Sequence, residues 1–197
     1  MNKARLEAFS DGVFAIAATL LVLGLVLPPL SRPNEAGIFH ALLALWPNVV
    51  AYVLSFFVIG IMWMNHHALF RSLDRVDRPT FLFNLLLMAI TAFIPFATSV
   101  LGSYPTTRTA TFFYGFVLTV ASTAYNLMLM HVVKARLFSQ KISPSRVAQT
   151  VVNYRIGLFI YAVAMLVSLL APLVSYLAYI LIAAFYLIPR GVDETLE

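Results

Sequence analysis

An all-α membrane protein with six transmembrane helices per subunit is the fold class this sequence predicts, and three observations predict it. Of 197 residues, 61% are hydrophobic and only 11% are charged, against roughly 25% charged in soluble domains. Mean hydropathy is +0.90. Apolar runs near the ~20 residues needed to cross a bilayer recur six times along the chain. In water that much apolar surface would stay exposed, unfavourable by about 25 cal/mol per Å2; a bilayer removes the problem.

The first run, 9–29, is closed by Pro28 and Pro29. No small-residue cleavage site follows, so it reads as a retained helix rather than a signal peptide. The next three runs are 43–64, 80–101 and 109–133. The fifth and sixth, 153–171 and 173–189, are separated by a tight turn around Pro172. A hairpin that does not fully cross, giving five spans plus a re-entrant segment, is the competing reading of that pair. The longest polar connection, 134–152, reads as a linker or an interfacial segment. The whole chain, 1–197, is one domain, with no internal repeat and an acidic, solvated tail over 193–197.

Charge gives the orientation. With the N-terminus inside, inner segments hold Lys3, Arg5, Arg71, Arg75, Arg78, Lys134, Arg136, Lys141, Arg146, Arg155 and Arg190, while outer segments hold only Arg32 and Arg108. Lys and Arg collect on cytoplasmic segments, so both termini are predicted cytoplasmic, which agrees with an even number of spans. The same bias accounts for the net charge of +5 without a nucleic-acid partner. The absence of cysteine excludes disulfides and thiolate chemistry and leaves the redox compartment open.

Polar groups inside a span are costly and mark candidate sites. One cluster opens the first run: Arg5-Leu6-Glu7-Ala8-Phe9-Ser10-Asp11-Gly12. Ser10 or Asp11 could cap a helix N-terminus, or enter a buried network. The second cluster is Trp63-Met64-Asn65-His66-His67. Trp63 and His67 share a helix face, while Asn65 and His66 point elsewhere; a Trp–His pair also serves as an interfacial anchor. Adjacent histidines lie about 100° apart on a helix, and no carboxylate stands at metalloprotease spacing, so no tightly bound metal is expected. A haem would need axial histidines at suitable depth, whereas His131 and the His66/His67 pair fall near helix ends. No nucleophile elbow or paired carboxylate lies within the spans, so no catalytic residue and no enzyme activity is expected. A Thr-Val-Gly-Tyr-Gly filter is also missing.

Ile16, Thr19, Leu20 and Leu23 follow i, i+3, i+4, i+7 spacing and form one stripe. The small residues Ala15, Ala18 and Val22 lie opposite, where neighbouring helices could approach closely. Periodicity alone does not separate a lipid face from a pore wall.

Arg5-x-x-x-Phe9-Ser10-Asp11, followed by Gly-Val-Phe-Ala-Ile-Ala-Ala-Thr-Leu-Leu-Val-Leu, resembles the signature first helix of the transmembrane protein 175 family, the endosomal and lysosomal potassium-channel family with single-repeat prokaryotic members. The Trp63, Asn65, His66 and His67 group resembles the family's second-helix motif. The resemblance implies a homotetrameric, potassium-favouring cation channel in a prokaryotic cell membrane. It implies a pore lined by the first helix, with a hydrophobic constriction at Ile16 and pore-facing Thr19, Leu20 and Leu23. Arg5, Phe9, Ser10, Asp11, Trp63, Asn65, His66 and His67 would form the network that holds that helix. The expected partners are further copies of the chain, the bilayer and monovalent cations; no cofactor is expected beyond transient K+ in the pore. A secondary transporter or proton-conducting pathway is the alternative. It would require midplane ionisable groups, and the inner spans offer no carboxylate beyond Asp11.

Overall fold

Short polar caps start most of the helices. In the computed structural model, which describes residues 2–30 and 34–186, α1 (Lys3–Leu20) begins where the Asn2 side chain accepts the Arg5 amide. A 3-10 turn, Leu21–Gly24, continues it. Asn34 caps α2 (Glu35–Ala44), and α3 (Trp46–Arg71) follows with Pro47 in its first turn. Asp77 caps α4 (Arg78–Ser103), Thr107 caps α5 (Arg108–Lys134) and Ser143 caps α6 (Pro144–Val167). The last described helix is α7 (Pro172–Tyr186). Each cap satisfies amides that the first helical turn leaves unpaired.

Among the described residues, five helices are long and apolar enough to cross a membrane: Lys3–Gly24, α3, α4, α5 and α6. The sixth expected span, 173–189, runs past the described residues. The 15 described residues of α7 rise only about 22 Å, short of the ~30 Å hydrocarbon core. A tight turn before Pro172 does separate α6 from α7.

Several boundaries differ from the hydropathy reading. The first helix starts at Lys3 rather than near 9, and its regular part ends at Gly24 although apolar residues continue to Leu30. Residues before proline disfavour helix, and Pro28-Pro29 leaves 25–30 irregular. The connection to the second span contains α2, a mostly apolar helix of ten residues rising about 15 Å, half a bilayer. The polar connection 134–152 is already helical from Pro144.

α4 packs against α1, α3 and α5, and α5 against α4, α6 and α7. These two form the centre: their buried stripes include Leu87, Ile94, Leu101, Tyr114, Met128 and Val132. α6 is peripheral, burying only Gly157 and Ala164. α4 runs unbroken through Pro95, which offers no N–H to the helix ladder; such prolines are tolerated in spans where neighbours satisfy the freed carbonyl.

One end of the bundle is tied together. Leu73 and Phe138 form an isolated antiparallel bridge, flanked by Asp74 N–H to Leu137 O (3.1 Å) and Ser139 N–H to Ser72 O (2.9 Å). Lys3 Nζ donates to Leu73 O at 2.6 Å. The start of α1, the α3–α4 connection and the α5–α6 connection therefore share one end. At that end α5 stops in a Schellman-type turn, with Leu137 N–H on Val132 O at 3.1 Å and Arg136 at φ 53, a position that favours glycine.

Candidate functional site: the exposed face of the first helix

α1 buries a single narrow strip, Leu6, Ser10, Phe14 and Ala17, continued by Leu21. This is not the small-residue face expected from sequence: Ala15 and Val22 are exposed and Ala18 is half-buried. Phe14 and the Ser10 hydroxyl take the packing positions instead.

The predicted stripe lies on the unburied side. Ile16 is 60% exposed, Leu20 41% and Leu23 69%, and Thr19 is exposed as well. The Thr19 hydroxyl donates to Ile16 O at 2.9 Å, which leaves its oxygen lone pairs directed outward. Leu23 belongs to the 3-10 turn. A monomer thus carries an uncovered apolar ridge with one hydroxyl in it.

Ser10 does not cap a helix, because the cap is Asn2. It sits two turns in, fully buried, and opens a chain of hydrogen bonds across three helices. Ser10 Oγ donates to Leu6 O at 2.9 Å and accepts from Asn84 Nδ2 at 2.9 Å. Asn84 Oδ1 faces His66 Nε2 at 2.7 Å. Since the Asn84 amide nitrogen is donating to Ser10, its oxygen is the acceptor and the imidazole Nε2 carries the proton. His66 is 1% exposed. Its ring stacks on Phe70 with centroids 4.2 Å apart and meets the edge of Phe14 at 5.4 Å. Donors and acceptors match along the whole chain, as buried polar groups require.

Asp11, one residue on, points to a different neighbour. Its Oδ1 accepts the Trp63 indole N–H at 2.8 Å, and His67 lies against Trp63 with ring centroids 6.0 Å apart. Asn65 turns away toward α6, its carbonyl accepting from Tyr154 Oη at 3.3 Å. Arg5 and Phe9 are exposed and, among the described residues, neither joins the buried chain. With Leu6, Phe81 and Leu85 they border a shallow groove between α1 and α4.

The sequence reading missed Asn84, the residue that joins Ser10 to His66. The signal was present: an asparagine inside the apolar run 80–101 is as costly as the residues that were singled out. A second buried polar cluster was missed for the same reason. Thr98 Oγ1 donates to Ser55 Oγ at 2.7 Å, and Ser55 Oγ lies 3.0 Å from Tyr114 Oη, linking α3, α4 and α5. Among the described residues no group of three His, Asp or Glu side chains could hold a metal ion.

The family model described as the endosomal/lysosomal potassium channel TMEM175 matches residues 5–95. A potassium channel of Streptomyces collinus is 35% identical over 192 residues, covering 94% of this chain and 92% of its own length. The endosomal/lysosomal proton channel TMEM175 of Gallus gallus is 40% identical over 103 residues, 49% of this chain and 21% of that protein. The crystal structure of a homologue of the lysosomal potassium-selective channel TMEM175 from Chamaesiphon minutus superposes with a TM-score of 0.85 at 33% identity, covering 94% of this chain and 96% of that one.

Proposed function

Since this chain belongs to the TMEM175 family, a family of ion channels rather than enzymes, we propose that it forms a potassium channel whose pore is walled by the exposed face of α1. The observation that carries this reading is the division of α1 into two faces. One is pinned by a matched buried hydrogen-bond chain; the other presents Ile16, Leu20 and Leu23 uncovered. Four copies around an axis, each turning that ridge inward, would cover it.

In such a pore the Ile16 side chains form the constriction. Aliphatic groups offer no ligand to replace an ion's hydration shell, so a narrow ring of them closes by dewetting. Opening requires the ring to widen until an ion passes with part of its water. Thr19, one turn away, supplies oxygen contacts next to the dry ring. Without an ordered cage of carbonyls, selectivity for K+ over Na+ is modest. The basic end, with the start of α1 and the α3–α4 and α5–α6 connections, faces the cytoplasm of a prokaryotic cell, following the positive-inside rule. No cofactor takes part; K+ occupies the pore only in transit.

The test is K+ efflux from vesicles containing the purified protein. Ile16→Asn wets the ring and raises the leak by about tenfold, equivalent to lowering a barrier by ~1.4 kcal/mol. Flux indifferent to substitutions at Ile16, Leu20 and Leu23 refutes the pore assignment. Crosslinking in mild detergent yields a ladder ending at four subunits; a strict monomer refutes the assembly. The proton-channel name of the Gallus gallus relative favours one second reading, a proton-conducting pathway. Acidification of a trapped pH dye under a K+-free proton gradient distinguishes it from K+ conduction.

A further inference from the structure

We propose that the cavity between α3, α5, α6 and α7 is a binding site for a neutral amphiphile with one hydrogen-bonding head group, an uncharged hydroxyl-bearing lipid or aliphatic alcohol drawn from the bilayer. The cavity has a volume of about 270 Å3. It lies on the side of α3 away from α1: Trp63 and His66 reach toward α1 and α4, while Asn65 and Leu69 line the cavity.

Three features define the occupant. First, no charged side chain lines the space, so a charged group entering it would be desolvated without a counter-ion. Second, hydrogen-bonding capacity is left over at one wall. Asn126 Nδ2 spends its hydrogens on Ser122 O (2.9 Å) and Tyr154 O (3.0 Å), which leaves Oδ1 as an acceptor. The Asn65 side-chain amide and the Ser122 hydroxyl make no hydrogen bond among the described residues. Third, the remaining wall combines aliphatic and aromatic side chains, Ile61, Phe138, Ile142 and Ile156 among them, with polar groups that are mostly already engaged. The Ser72 and Thr150 hydroxyls donate to Leu69 O and Arg146 O, and those of Tyr125, Tyr154 and Tyr186 to Met62 O, Asn65 O and Asn153 O. Water is a poor filling for such a space: each buried water needs about three hydrogen bonds, and one polar wall cannot supply them throughout. A hydroxyl on Asn65, Ser122 and Asn126, with an apolar chain along the rest, matches both halves, the usual make-up of a ligand pocket. Ile156 and Phe185, each nearly half exposed on the peripheral helices, stand at its edge and give an approach from lipid.

The experiment irradiates the full chain in phosphatidylcholine vesicles with a diazirine-bearing decanol and maps the adducts by mass spectrometry. Adducts are expected to saturate on peptides holding Met62, Ser122 and Tyr154. Excess 1-decanol should reduce them about fivefold or more, and decane or decanoate should not. Ser122→Phe, which fills the cavity, and Ile142→Trp, which narrows it from a connecting segment at low folding risk, should reduce them similarly. Non-saturating adducts spread over Phe159 and Leu170, equal competition by decane or decanoate, or unchanged labelling in both variants would overturn the proposal. The competition arms use the unaltered protein, so they stand even if Ser122→Phe fails to fold. The readout is a covalent adduct, so its failure is distinct from failure of the channel reading.

Discussion

Replacing Asn84 by leucine should show how firmly α1 is held. The change removes two interhelical hydrogen bonds, Asn84 to Ser10 at 2.9 Å and His66 to Asn84 at 2.7 Å. Ser10 keeps its bond to Leu6 O, so it loses only a donor. His66 fares worse: its Nε2–H faces leucine in a site where the ring is 1% exposed. A stranded buried donor costs about 1–3 kcal/mol, and interhelical hydrogen bonds in membranes average about 0.6 kcal/mol each. The expected loss is about 2 kcal/mol, a fall in apparent Tm of roughly 4–8 °C for a chain of this size. His66→Phe preserves the stacking on Phe70 and Phe14 but strands Asn84 Oδ1, and it should cost a similar amount. The double variant removes both partners and restores an apolar contact, so its loss should fall short of the sum by about 1–2 kcal/mol. Thermal unfolding in detergent, followed by Trp fluorescence and monodispersity, gives all four corners of the cycle. Strict additivity would falsify the direct coupling of His66 to Asn84.

Other expectations rest on separate features. Partial burial of Asp77 opposes its ionisation, but hydrogen bonds from the Thr80 hydroxyl and amide and from His131 prevail and bring its pKa down to about 2. A lowered carboxylate pKa stabilises the folded state above the ordinary value of 3.8, and that contribution is lost as pH falls toward 2. Because the side chain is 34% exposed, screening limits it to about 1 kcal/mol; Asp77→Asn should flatten this part of the acid profile while keeping a cap on α4. Gly102→Ala would place a methyl 2.9 Å from Asn48 Cα. Since backbone cannot yield as a side chain can, it should destabilise by about 1–3 kcal/mol, visible as a lower Tm. Arg136→Gly relieves a left-handed residue at φ 53 and should raise Tm by the equivalent of about 1 kcal/mol; an unchanged or lower Tm contradicts that account.

Much of the fold was legible because the bilayer makes long apolar runs obligatory. Hydropathy reads such runs, not helices, and that explains the misplaced boundaries. Lys3, Arg5 and Glu7 are good helix formers that a hydropathy window discards, so the start of α1 was set too late. Leu25 to Leu30 are apolar but precede and include a Pro-Pro step, so its end was set too far. The site was half legible. Ser10, Asp11, Trp63 and His66 stand out as polar or aromatic groups at the edges of runs. Their pairing across 52 residues in Trp63–Asp11 and 74 in Asn84–Ser10 depends on which helices meet. Local sequence carries no record of that. Asn84 was available to the same rule and was passed over because it lies inside a run rather than at its edge.

The adjacency of Ser10 and Asp11 explains why the motif is a dipeptide. Neighbours on a helix point about 100° apart. Ser10 is held by Asn84 on α4 and Asp11 by Trp63 on α3, two anchors on two helices at one level of α1. One such bond would let α1 pivot about it. Two, set a quarter-turn or more apart, fix its rotation about its own axis. Rotation matters because apolar burial discriminates poorly here: lipid is as apolar as a helix face, so no hydrophobic force selects which side of α1 turns inward. A slip by one residue would carry Ile16 about 100° around the helix while exchanging one aliphatic face for another at little cost. The matched polar bonds supply the missing discrimination, since the same slip would strand the Asn84 amide nitrogen and the Trp63 indole N–H together. On the proposed channel reading, the buried network therefore sets the azimuth of Ile16 without touching an ion, and variants of Ser10 or Asp11 act on conduction by releasing that azimuth.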